Sequence, residues 1–230
     1  MMFGLLAPIA VLGALALVII LFVQRGREGV DLSPRGILRL YLYLASLAGI
    51  VVLALGLASV VNYGLARAAG DEFIYGGPGP VASITFQCPP EAVGKGCVEP
   101  TPEQLEQQRI AQKMQTDRRR DEDLIRGITF TVFGALFWGA HWAARRGLGE
   151  ADAAMTGLRR GYLMLGTVVF GLSTIVLLPT GIYQALSNVL LTTPQNYYRQ
   201  GADALGGGIV SLPIWLVYLR LVVNELRQAA

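Results

Sequence analysis

The chain is poor in charge, histidine, cysteine and lysine. Charged residues make up 15% of its 230 residues, against about 25% in an average soluble domain. It has one histidine, His141, and two cysteines, Cys88 and Cys97. A structural zinc site takes four nitrogen or sulfur ligands, and this set does not supply them. Bis-histidine haem ligation within one chain is impossible, and no Cys-x-x-Cys-His run exists for covalent haem attachment. Walker-type and dinucleotide-binding glycine loops are missing. No nucleophile stands with a base and an orienting third group. The chain is therefore expected to carry no metal or cofactor and not to be an enzyme. Its only lysines are Lys95 and Lys113, so nearly all of the 19 basic residues are arginine. The net charge is +3, and the arginines cluster beside apolar runs. That placement marks them as topology signals and not as a nucleic-acid surface, so no nucleic-acid partner is expected.

The chain is rich in apolar residues, at 53%, and they fall in runs of bilayer-spanning length. A helix needs about 20 apolar residues to cross a hydrocarbon core of about 30 Å. Five segments fit: Phe3 to Val23, Leu40 to Ala66, Ile128 to Ala144, Gly161 to Leu186 and Gly207 to Val223. The fold class read from this pattern is an all-α membrane protein with five transmembrane helices. The first segment has no charge before it, and Arg25 and Arg27 follow it. A cleaved signal peptide has the opposite order, so this segment reads as a retained helix.

Arginine placement sets the expected orientation. Arg25, Arg27, Arg35 and Arg39 lie in one connection, and Arg145, Arg146, Arg159 and Arg160 in another. Both are expected on the cytoplasmic side of the cell membrane, giving an N-out, C-in multi-pass topology. The chain then divides into a first transmembrane helix (1–23), a cytoplasmic loop and second helix (24–66), and an extracytoplasmic loop domain (67–126). The third and fourth helices follow (127–186), then an outside loop, fifth helix and cytoplasmic tail (187–230).

The loop domain opens on Gly76-Gly77-Pro78-Gly79-Pro80, a cluster that breaks regular structure. Val81 to Gln87 has the β-branched and aromatic content of a strand. Cys88 and Cys97 enclose eight residues and are expected to form a disulfide in the oxidising space outside the membrane. Thr101-Pro102-Glu103-Gln104 reads as a helix start, with Thr101 as cap and Gln104 at the capping-box position. A polar helix from Pro102 to Leu124 is predicted to run into the third membrane helix. Its run Arg118-Arg119-Arg120-Asp121-Glu122-Asp123 is self-neutralising and reads as a solvated face.

The chain repeats itself. Placing Tyr41 over Tyr162 matches Gly36 with Gly157, Arg39 with Arg160, Leu42 with Leu163 and Leu44 with Leu165. Phe137 to Trp142 lies over Ile214 to Leu219, which sets Trp138 on Trp215 and His141 on Tyr218. The pattern is one helix followed by two copies of a helical hairpin. Both copies start and end on the same side, so the repeat is parallel.

Arg39-Leu40-Tyr41-Leu42-Tyr43-Leu44 opens one hairpin, while Pro213-Ile214-Trp215-Leu216 and His141-Trp142 mark the second helices. In these motifs the chain resembles a family of uncharacterised bacterial multi-pass membrane proteins, a domain of unknown function. That family shows an Arg-x-Tyr-Leu-Tyr-Leu helix start and a Pro-x-Trp-Leu-x-His-Trp type helix end. Here the second motif is split between the two copies. The resemblance covers about 120 residues in two blocks. It implies a hairpin-built membrane protein and carries no activity with it.

Trp138, His141, Trp142 and Arg145 follow i, i+3, i+4, i+7 spacing and share a helix face. They are the candidate lipid or cofactor contact, because Trp stacks, His hydrogen-bonds and Arg pairs with an anion. The alternative is an interfacial belt with a snorkelling arginine. Tyr41, Tyr43, Tyr162 and Trp215 read as belt residues. Arg220 is expected to snorkel, with Glu225 nearby. Gly49, Gly56 and Gly64, and Gly161, Gly166 and Gly171, are expected to serve helix packing.

The functional expectation is a non-catalytic integral membrane protein, a structural or accessory subunit packed against a larger membrane complex. Its partners are the lipid bilayer and proteins of that complex. Two alternatives remain: a small carrier or channel built on the parallel repeat, and a membrane anchor binding a cofactor or quinone near His141.

Overall fold

A computed structural model of the chain describes residues 34–76, 101–147, 153–190 and 201–229. Within them every regular element is a helix. These are α1 (Pro34–Ala69), α2 (Asp71–Tyr75), α3 (Pro102–Gly147), α4 (Ala153–Leu190) and α5 (Ala204–Ala229). The four long helices, α1, α3, α4 and α5, have the length and apolar composition to cross a membrane. They correspond to the second through fifth apolar segments. The first apolar segment, the strand expected at 81–87 and the Cys88–Cys97 disulfide lie outside the described residues.

Several helix starts and stops have a local cause. Pro34 and Pro102 occupy first-turn positions, where the missing N–H is not needed. The capping box at α3 forms as expected. Thr101 N–H donates to Gln104 Oε1 at 3.0 Å, and Gln104 N–H donates to Thr101 Oγ1 at 3.4 Å. From there α3 runs unbroken for 46 residues, so the polar segment and the apolar span are one helix. At the end of α1 the backbone turns at Gly70, with φ of 101°, and again at Gly76, with φ of 82°. Those values lie in the left-handed region that glycine enters without strain.

The described residues form two compact units, each fed by parts of all four long helices. One unit holds 34–50, 136–147, 153–169 and 215–229. Here Gly49 takes the α3 backbone at Trp138 so closely that a Cβ would collide with it. Gly166 on α4 likewise has no room for a Cβ, because the Tyr218 ring of α5 lies against it.

The other unit holds 51–76, 101–135, 170–190 and 201–214. In it α1 and α3 pack antiparallel through small residues: Gly56 against Thr131, Gly134 against Leu53, Gly127 against Val60. Glycines alternate between the two helices, so the backbones approach closely, as membrane helices require when lipid replaces water as the competitor. The α4–α5 pair follows the same logic, with Gly181 against Leu205 and Gly208 against Leu178. Glycine spacing in one helix therefore hides the seam, because its partner helix supplies every other glycine. Gly64 and Gly161 have open space and play no such part.

A buried amide ties this second unit together. Asn62 of α1 donates to the Asp203 carbonyl at 2.9 Å and accepts from Gly206 N–H at 3.1 Å. It thus caps the start of α5 from another helix and satisfies an N–H that has no intrahelical partner. Beside it, Ala66, Ile74 and Ala202 form a small buried cluster with Leu65, Phe73, Tyr75 and Ala185 around it. The short α2 is pinned there. Ala202 N–H donates to the Phe73 carbonyl at 3.0 Å, and Arg120 of α3 pairs with Asp71 at 2.8 Å. The charge run of α3 is therefore only partly a solvated face. Arg118 pairs with Glu122 along the surface, whereas Arg120 is four-fifths buried and fixes α2.

Candidate functional site

The candidate site lies in the unit that gathers the start of α1, the end of α3, the start of α4 and the end of α5. Its centre is Arg145. The guanidinium carbon sits 4.8 Å from the centroid of the Tyr43 ring and 5.0 Å from that of Tyr162. Rings from α1 and α4 thus hold one cation, at a separation where ring quadrupoles attract positive charge. The two rings are themselves 5.4 Å apart. Tyr162 continues the chain of contacts, with its hydroxyl 2.6 Å from that of Tyr218 on α5. Tyr218 is buried.

His141 has both ring nitrogens engaged. Nδ1 donates to the Phe137 carbonyl at 2.7 Å, which leaves Nε2 as the acceptor for the Tyr41 hydroxyl at 3.4 Å. The rings of Tyr41 and Phe137 also flank it, at centroid distances of 5.7 and 4.1 Å. A metal ligand would need one of these nitrogens released. Among the described residues no three His, Cys, Asp or Glu side chains converge in a way that fits a metal ion.

The sequence-expected face of α3 divides in the structure. Trp138 packs its backbone on Gly49, His141 meets Tyr41, and Arg145 lies against the paired Tyr43 and Tyr162 rings. Trp142 stays exposed, 6.4 Å from the Trp138 ring, with the Arg146 guanidinium 3.7 Å over it. Of the belt residues, Tyr41 is exposed, as an interfacial ring would be. Tyr43 and Tyr162 turn onto Arg145, and Trp215 is half-buried. Glu225 faces Arg159 at 3.9 Å, because α4 brings Arg159 alongside the end of α5.

Tyr218 was reachable from the sequence only through the repeat. The alignment that sets Tyr41 on Tyr162 and His141 on Tyr218 pairs the same two residues that touch in each hairpin. A second pair behaves alike, since Leu53 packs on Gly134 where Thr174 meets Ser211. The two hairpins therefore share contacts as well as sequence.

The described residues define a class: they are helical throughout their regular elements, and their four long helices have the make-up of membrane spans. Residues 105–212 match a family described as a domain of unknown function, DUF5671. The match runs from α3 through α4 into α5 and so covers most of one hairpin and the second helix of the other. No curated protein and no solved structure matches the chain.

Proposed function

We propose that the protein is a non-catalytic integral membrane protein, an accessory subunit that packs against a larger complex of the cell membrane. The observation that carries this reading is the projecting half of α3. At 1.5 Å per residue its 46 residues reach about 69 Å, roughly twice a hydrocarbon core. Beyond the apolar span the helix still exposes Ile110, Met114 and Ile125. Met114 and Ile125 border an open groove with Asp117, Arg118, Asp121 and Glu122. Lipid tails do not reach the far end of that half, so a protein surface is the natural cover for Ile110 and Met114.

Within the span itself, only 11% of the apolar stretch of α3 is buried, against 33% for α1. That helix has the most free surface to offer. The arginines at 24–39 and 145–160 support an N-out, C-in orientation, which sets the projecting half of α3 and the rest of 67–126 outside the cytoplasm.

A photo-reactive phenylalanine analogue at Met114, introduced in native membranes, tests the proposal. A discrete cross-linked protein is expected there and not with the analogue at Val168, an exposed position within the apolar stretch of α4. Gentle-detergent purification as a lone monomer, with no adduct at Met114, refutes it.

A further inference from the structure

Each of the four helical segments in the unit around Arg145 brings two arginines, and among the described residues the only carboxylate there is Glu225. Arg159 faces that carboxylate. Two of the remaining guanidiniums have a buried Nε without a hydrogen-bond partner, those of Arg145 and Arg160. The adjoining connections carry Arg25, Arg27, Glu28, Asp31, Glu150 and Asp152, so the unit and its connections remain net cationic.

An arginine cannot shed its proton to escape burial. A buried N–H donor without an acceptor is costly, and more so when charged. Arg145 is nevertheless held in place, because the Tyr43 and Tyr162 rings both lie against its guanidinium from one side. Rings on one side leave the planar fork of donors, the buried Nε–H among them, to be met by an acceptor from another direction. Phosphate oxygens match that fork two at a time. The helix ends that form this unit flank the apolar stretches, and arginines in that position favour anionic headgroups.

We infer that Arg145, oriented by Tyr43 and Tyr162 and with Arg160 contributing charge, binds the phosphate group of an anionic phospholipid. This reading is separate from the partner proposed for the N-terminal half of α3 and does not use Ile110, Met114 or Ile125. A soluble phosphate offers the same chemistry, and the experiment separates the two sources.

The full-length protein is delipidated in mild detergent and exposed to phosphatidylglycerol or phosphatidylcholine, and bound lipid is counted by native mass spectrometry. Phosphatidylglycerol is expected to be retained about tenfold more strongly by the unaltered protein, the worth of one charge-assisted contact. Arg145→Gln should remove that preference, whereas Arg146→Gln, whose guanidinium lies over exposed Trp142, should keep it. Tyr43→Leu keeps the arginine but removes one of the two rings that hold it, and should weaken retention even if Arg145→Gln fails to fold. Equal retention of the two lipids by the unaltered protein overturns the proposal, as does unchanged preference in folded Arg145→Gln. Displacement of phosphatidylglycerol by millimolar inorganic phosphate overturns the lipid as the source.

Discussion

The hydroxyl of Tyr162 lies 2.6 Å from the hydroxyl of Tyr218, joining α4 to α5 at the positions that the internal repeat aligns with Tyr41 and His141. The equivalent contact between α1 and α3 is longer, at 3.4 Å. The two hairpins thus both carry a cross-helix polar pair at matching positions, Tyr–His in one and Tyr–Tyr in the other.

The distances rank the two pairs. An O–H to O contact is strongest near 2.7–2.8 Å and weakens with length. Polar pairs between membrane helices couple by about 0.6 kcal/mol on average, with a maximum of about 1.7. A double-mutant cycle of Tyr162→Phe and Tyr218→Phe should therefore give a coupling of about 1 kcal/mol. The cycle of Tyr41→Phe and His141→Phe should give less than half of that. Unfolding in detergent or bicelles measures both, and equal couplings would contradict the ranking.

Much of the architecture was legible in the sequence because it rests on long-range averages. Apolar run length located four helices, and Thr101 with Gln104 marked the start of α3. The helix seams were harder to read. Gly56 and Gly134 sit on different helices, and neither forms a motif until the antiparallel register is known. The two-ring contact on Arg145 was hidden for the same reason. Tyr43, Arg145 and Tyr162 come from three helices, and each alone looks like an interfacial side chain. Asn62 gave a weak signal, a lone amide in an apolar run, but nothing in the sequence points it at Gly206.

That amide makes a definite prediction. Replacing Asn62 by Leu removes its bonds to the Asp203 carbonyl and the Gly206 N–H. A buried backbone group loses its partner, so the loss should be about 1–3 kcal/mol. Gly206→Ala should cost a comparable amount by another route, since a Cβ there would run into the Asn62 side chain. Because the two changes act on one contact, the double variant should lose less than the sum. Additive losses would mean that Asn62 and Gly206 do not act through each other.

Two buried hydroxyls should respond in opposite ways. Ser46 is fully buried, and its Oγ has no hydrogen-bond partner. Thr174 is buried too, but it donates to the Phe170 carbonyl at 2.8 Å and lies 3.0 Å from Ser211 Oγ. Ser46→Ala removes an unsatisfied polar group, so stability should hold or rise by up to about 1 kcal/mol. Thr174→Val breaks the link to Ser211 and should lower stability by about 1 kcal/mol. The unfolding midpoints of the two single variants decide this, and a destabilising Ser46→Ala would show that the hydroxyl has a role that the packing does not reveal.

Tyr75 connects stability to alkaline pH. It lies on α2, after the end of the α1 span, with its hydroxyl buried and without a hydrogen bond of ordinary geometry. Burial raises its pKa above the usual tyrosine value, and the nearby carboxylate of Asp123 raises it further. In the unfolded chain the same phenol ionises at about pH 10. Above that pH the unfolded state has lost a proton that the folded state keeps, so unfolding is favoured as pH rises. Below it both states are neutral, and Tyr75 contributes no pH dependence. Tyr75→Phe should therefore leave stability near pH 7 unchanged or slightly higher, and should flatten the decline above pH 10. The measurement is the unfolding midpoint in detergent from pH 7 to 11 for both proteins. Parallel curves across the alkaline range would show that Tyr75 ionises as freely in the folded protein as in the unfolded one.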